Sequence, residues 1–224
     1  MNSIFIKHFK KSIYLYVLTG FISANAGSYD DFFKAIKMDD ASTINQLMAR
    51  GFDVNTLDPT GQPGLIDAIR EPSPKVASLL ASAPKIDLNL LNIKGESPLM
   101  LASLKGQLEL ADLMIKKGAD VNKTGWTPLH YAASTGQVAV IRLLIENHAY
   151  IDAESPNGST PLMLASMYGT AEAVKLLLDE GADPSLKNQQ GLTAVQFAER
   201  ASRPDAAELI TKNIKANRPA PGKW

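Results

Sequence analysis

Apolar residues recur along most of this chain at the spacing of a helix face, and polar stretches carrying glycine interrupt them at regular intervals. In "TGWTPLHYAASTGQVAVIRLLIENHAYID", Leu129, Ala132 and Ala133 form one short stripe, while Val140, Leu143 and Leu144 form a second at i, i+3 and i+4. Thr127 and Pro128 stand at the mouth of the first stripe. A threonine hydroxyl accepts from an otherwise unpaired N–H of the first turn, and proline loses nothing at the first helical position. Gly136 closes the first stripe, and "KKGAD" and "DEGAD" put a glycine where a helix commonly ends in a left-handed residue. The pattern predicts pairs of short helices, the first kept slim by alanine so that neighbours approach closely.

The pair recurs. "KGESPLMLASLKGQLELADLMIKKGADVN" from Lys94 and "NGSTPLMLASMYGTAEAVKLLLDEGADPS" from Asn157 match the stretch from Thr124 at nearly every apolar position. Gly61, Gly95, Gly125, Gly158 and Gly191 are 34, 30, 33 and 33 residues apart. A unit of this length with the Thr-Pro-Leu-His signature resembles the ankyrin repeat. The resemblance implies an all-α solenoid of stacked helix-turn-helix units with short β-hairpin fingers over residues 28–214. Six units are expected, at 28–59 (a cap), 60–93, 94–123, 124–156, 157–189 and 190–214 (a cap). No unit buries its apolar face alone, so they form one stack. Helices are expected over Tyr29–Met38 and Ala41–Arg50; Pro63, Pro72 and Pro74 make the second unit irregular. From Lys215 the tail "KANRPAPGKW" loses the period and is expected to fray.

Composition narrows the function. At 45% hydrophobic and 21% charged residues the chain reads as a folded soluble protein. Lys7, Lys10 and Lys11 precede an apolar run, Ser12 to Ile22, and small residues at Ala24 and Ala26. That is the layout of a secretory signal peptide cut after Ala26; the run is shorter than the roughly 20 residues that cross a bilayer, and an uncleaved anchor is the alternative. Beyond residue 26 there remain 20 basic and 23 acidic residues, a net of −3, which does not suit nucleic acid as a main partner, and nothing later in the chain approaches a membrane span. With 0 cysteines the chain has no disulfide, thiolate nucleophile or cysteine-ligated zinc.

No phosphate loop, nucleophile elbow or zinc-binding helix motif is present, and no cofactor is expected. The resemblance implies that His130 bonds the threonine of its own motif; Met100 and Met163 hold the equivalent positions. Asp53, Asp87, Asp120, Asp152 and Asp183 recur at what reads as one place in successive units, a structural turn position. "NKT" at Asn122 and "NGS" at Asn157 match the glycosylation acceptor pattern, as ankyrin turn chemistry also does.

In ankyrin proteins the partner commonly lies on the concave side, against the residue before the threonine and the pair before the interhelical glycine. Those positions hold Glu96, Trp126, Ser159 and Leu192, then Leu104 with Lys105, Ser134 with Thr135, and Met167 with Tyr168. Only Lys123 and Thr124 separate Asn122 from Gly125, so this finger is three residues short and leaves a notch beside Trp126. Leu104, Trp126, Tyr131, Met167 and Tyr168 are the candidate protein-binding residues, since aromatics anchor interfaces and methionine adapts to them. The alternative is that Trp126 merely fills the shortened turn. The implied protein is a periplasmic, monomeric, non-catalytic binder of another protein, protecting, regulating or neutralising it. Two rivals are a small-ligand or hydrolytic protein using the groove and a self-associating structural subunit.

Overall fold

The computed structural model describes residues 27–217; the expected signal peptide and the last seven residues, with Lys223 and Trp224, lie outside the described residues. Among the described residues, twelve helices stack in six pairs. The first pair is α1 over residues 27–37 and α2, Ala41–Ala49. The next two are α3, Gly64–Arg70, with α4, Pro74–Ala81, and α5, Pro98–Lys105, with α6, Leu108–Lys116. They are followed by α7, Pro128–Thr135, with α8, Val138–Glu146, and by α9, Pro161–Tyr168, with α10, Ala171–Asp179. The stack closes with α11, Ala194–Arg200, and α12, Pro204–Ala216. The last helix runs past residue 214 to Ala216, over the first residues of the stretch expected to fray, and Ile210 is buried and anchors it beyond its middle.

First helices begin with a cap whose chemistry varies while its geometry does not. The backbone N–H of Ser97 donates to Met100 Sδ at 3.3 Å, that of Thr127 to His130 Nδ1 at 3.2 Å, that of Thr160 to Met163 Sδ at 3.4 Å and that of Thr193 to Gln196 Oε1 at 2.9 Å. Thioether, imidazole and amide therefore serve one purpose, satisfying an N–H the helix leaves orphaned. The second unit lacks this cap because its N-cap is Pro63, which has no N–H, and Ile66 carries no acceptor. A Cβ on Gly64 would lie 2.5 Å from Phe32 Cε1, so proline could not replace it without moving a core ring.

Leu99, Leu129 and Leu162 are fully buried at one position of three successive first helices, and Ala102, Ala132 and Ala165 at another. On α8 the buried stripe is Val140, Ile141 and Leu144; Leu143, expected in it, is half-buried. Each fully buried leucine contributes about 1.5–3 kcal/mol over its exposed form. First helices pack on one another more extensively than second helices do, which curves the stack with the first helices on its inner side.

Between units the chain crosses in fingers that are turns rather than hairpins. No strand occurs among the described residues, and the nearest feature is one isolated antiparallel bridge, Leu57 to Pro63. Four fingers close alike, with Asp58, Asn92, Ser155 and Asn188 each donating from the backbone to the carbonyl four residues on, at 2.8–3.0 Å. The five finger glycines have φ between 72° and 83°, a conformation that penalises a Cβ. The finger at 122–126 shows no such closing bond.

A ladder of side chains ties each finger base to the next. Asn55 Oδ1 accepts from the N–H of Asp87, Asn89 Oδ1 from Asp120 and Asn122 Oδ1 from Tyr150, at 2.8–2.9 Å. Asp152 occupies this rung, accepting from the N–H of Asp183 at 3.1 Å. It is therefore equivalent to Asn122 and not to Asp120, whose place Tyr150 takes. Asn122 Nδ2 also donates to the His148 carbonyl at 2.8 Å, so its amide is committed to the ladder.

Candidate functional site

On the inner side of the stack, α5, α7, α9 and the shortened finger enclose a shallow hollow of about 270 Å³. Leu104 forms one wall from the last turn of α5. Trp126 contributes from the shortened finger, Tyr131 and Ser134 from α7, and Leu164 and Tyr168 from α9. Four of the five candidates named from sequence thus meet: Leu104, Trp126, Tyr131 and Tyr168. Met167 is half-buried and does not line the hollow. Leu164, which sequence reasoning missed, takes its place. The signal was available, because Leu164 stands as far from its Thr-Pro as Tyr131 does from its own.

Trp126 is 37% exposed and Tyr168 is 64% exposed, so two large rings meet water at the rim. Trp126 rests edge-on to the imidazole of His130, ring centroids 5.4 Å apart at 80°. It thus packs on a buried residue of α7 and also lines the hollow.

His130 is fully buried and fully bonded. Its Nδ1 accepts from the Thr127 N–H, so the proton sits on Nε2, which donates to the Ser159 carbonyl at 2.9 Å. Burial pushes its pKa down to about 4, against bonds to the Ser159 and Ala153 carbonyls that raise it. A neutral imidazole with both nitrogens engaged bonds the threonine of its own motif, as the resemblance implied, and also ties that unit to the next through Ser159. Tyr131 donates its hydroxyl to Glu96 Oε1 at 3.2 Å; burial, then the Glu96 charge, pushes its pKa up to about 12. No group of three His, Cys, Asp or Glu residues among those described could hold a metal ion. No described helix is long and apolar enough to cross a membrane.

Comparison with known proteins agrees with this architecture. The family of ankyrin repeats matches in three copies, over residues 32–124, 65–155 and 147–220. Protein phosphatase 1 regulatory subunit 27 of Mus musculus is 36% identical over 96 residues. That match covers 42% of this chain and 62% of the subunit, so the similarity spans less than two thirds of that relative. An ankyrin repeat domain from Acinetobacter baumannii AYE superposes with a TM-score of 0.70 at 27% identity, covering 81% of this chain and 96% of the other. A chain in the structure of Bd0816, a predatory endopeptidase from Bdellovibrio bacteriovorus in complex with immunity protein Bd3460, gives 0.69 at 29% identity, with the same two coverages.

Proposed function

This chain belongs to the ankyrin repeat family, and from that premise we propose that it is an exported, non-catalytic protein that binds one partner protein through the hollow on its inner face. Ankyrin repeats are protein–protein interaction modules, and the family is generally non-catalytic. The observation that carries the proposal is the open apolar hollow beside the shortened finger, rimmed by Trp126 and Tyr168 in a stack that covers most of its other large apolar side chains. Aromatic groups at the centre of such a depression are the usual anchors of an interface. Leu104, Tyr131 and Leu164 extend the contact.

The basic, apolar and small-residue order of residues 1–26 supports export to a bacterial periplasm. The likeness to a chain in an endopeptidase–immunity protein complex supports a partner that is an enzyme to be restrained or protected. The test is affinity capture from the envelope fraction of the source cells with the full chain and its Tyr168→Ala variant, followed by mass spectrometry. One protein retained by the wild type and lost by the variant, at an unchanged melting temperature, is expected. Equal capture by both, or recovery of the chain from the cytoplasmic fraction alone, refutes the assignment.

A further inference from the structure

The chain contains one Asn-Gly pair, Asn157 and Gly158, at the tip of the finger that enters α9. Asn157 is exposed, and a glycine has no side chain to shield its nitrogen. Such a pair can react with itself. The Gly158 nitrogen attacks Cγ of Asn157 and gives up its proton as the new C–N bond forms, while the side-chain nitrogen leaves as ammonia. Water then adds to one of the two carbonyls of the resulting succinimide, leaving aspartate or isoaspartate at position 157.

In the folded chain both reacting groups are held. The Gly158 N–H donates to the Ser155 carbonyl at 2.8 Å, and the Asn157 carbonyl, at the other end of the same peptide plane, accepts from the Gln189 N–H at 3.1 Å. Asn157 Oδ1 accepts from Ser155 Oγ at 2.6 Å and from the Ser159 N–H at 3.2 Å. Bringing the Gly158 nitrogen over Cγ turns that plane and gives up its N–H bond, so the pair reacts only when the finger opens.

The sixth unit supplies part of the restraint. Gln189 also donates Nε2 to the Pro156 carbonyl at 2.9 Å, and a Cβ on Gly158 would lie 3.2 Å from the Gln189 backbone nitrogen. Among the described residues, the bond from Gln189 to Asn157 is the one backbone–backbone bond that joins two fingers. Other fingers meet through side chains, as Ile93 meets Gly61 and Pro156 meets Gly125.

We infer that Asn157 is a self-modification site that the sixth unit holds shut, and that it deamidates when that unit lifts from the fifth. An end unit has a neighbour on one side only and opens most readily. Isoaspartate would route the main chain through the side chain, adding a backbone atom inside the turn. Ser159, whose carbonyl accepts from His130, follows two residues later, so a lasting mark would form at the seam between the fourth and fifth units.

The full chain is incubated in warm neutral buffer, folded or unfolded in urea, and digested with trypsin at intervals. Mass spectrometry after chromatography measures the asparagine, aspartate and isoaspartate forms of peptide 143–175. The folded chain is expected to deamidate at Asn157 at least about tenfold more slowly than the unfolded one. Gln189→Pro removes both donors from the sixth unit, at a turn position that accepts proline, as Pro156 shows in the finger before it. With its helices retained by circular dichroism, this variant is expected to react within about threefold of the unfolded rate. Gln189→Ala, which loses only the Nε2 bond, should fall between. A folded chain that reacts as fast as the unfolded one overturns the inference, and so does a helical Gln189→Pro variant as slow as the wild type. Should Gln189→Pro lose its helices, Gln189→Ala decides: a rate equal to the wild type overturns the gate, and a faster one supports it.

Discussion

The rung at Asp152 offers a sharp test of the ladder. Asn55 and Asn122 each accept one N–H and also donate, from Nδ2, to the Lys85 and His148 carbonyls at 2.8 Å. The carbonyl in the equivalent place beyond Asp152 belongs to Gly181, and a carboxylate cannot donate to it. Asp152 is instead half-buried beside Asp183, and its pKa is raised by burial and by that second charge. Asp152→Asn adds a donor and removes a like-charge contact. One net hydrogen bond contributes about 1 kcal/mol, which for a chain of this size raises the melting temperature by roughly 2–4 °C. The pH dependence carries the sign. With its folded pKa above the ordinary 3.8, ionised Asp152 lowers stability at neutral pH, and that loss disappears as pH falls through the folded value toward the unfolded one. Thermal unfolding followed by circular dichroism at neutral pH and near pH 3.8 should therefore show a gain that is largest at neutrality and shrinks in acid. No gain at neutral pH, or a gain indifferent to pH, refutes the equivalence of Asp152 with Asn122.

His148 has φ 65° where Gly51, Gly118 and Gly181 end the corresponding helices at 83–96°, so His148→Gly should stabilise the fold by about 0.5–1 kcal/mol in urea unfolding. His130→Ala leaves the Thr127 N–H and the Ser159 carbonyl without partners in the core, a loss of about 3 kcal/mol in the same assay. His130→Met keeps a cap acceptor, as Met100 and Met163 do, and should lose only about 1–2 kcal/mol. Because the folded pKa of His130 lies near 4 and the unfolded one near 6.5, the wild type should lose stability as pH falls across that interval. The Met variant should lack that component in matched melts.

Much of the fold was legible because its signals are local. Thr127-Pro128, Gly136 and the alanines of α7 each act within a turn or two of themselves, and their recurrence carried the solenoid. What escaped depends on distance or register. Asp152 follows His148 by four positions, where Asp53, Asp120 and Asp183 follow Gly51, Gly118 and Gly181 by two, so the recurrence of a carboxylate hid a shift of two residues. Hairpin fingers were expected, yet only four of the five turns close with a backbone bond to the carbonyl four residues on, and only the first adds an isolated bridge, so no ladder of strand pairs forms among the described residues. In the hollow, Met167 and Leu164 lie three residues apart on α9, and only the helix's rotation against α7 decides which of them joins Tyr131. The missing proline in the second unit has its cause in Phe32, more than thirty positions upstream.

At each rung of the ladder, an amide or carboxylate from one unit grips main-chain atoms of its neighbour and ignores that neighbour's side chain; Tyr150 is held as firmly as Asp87 or Asp120. Any residue except proline satisfies such a grip. A gene built this way can duplicate, delete or exchange units without having to match the seam anew, while its inner wall changes freely to suit a different client.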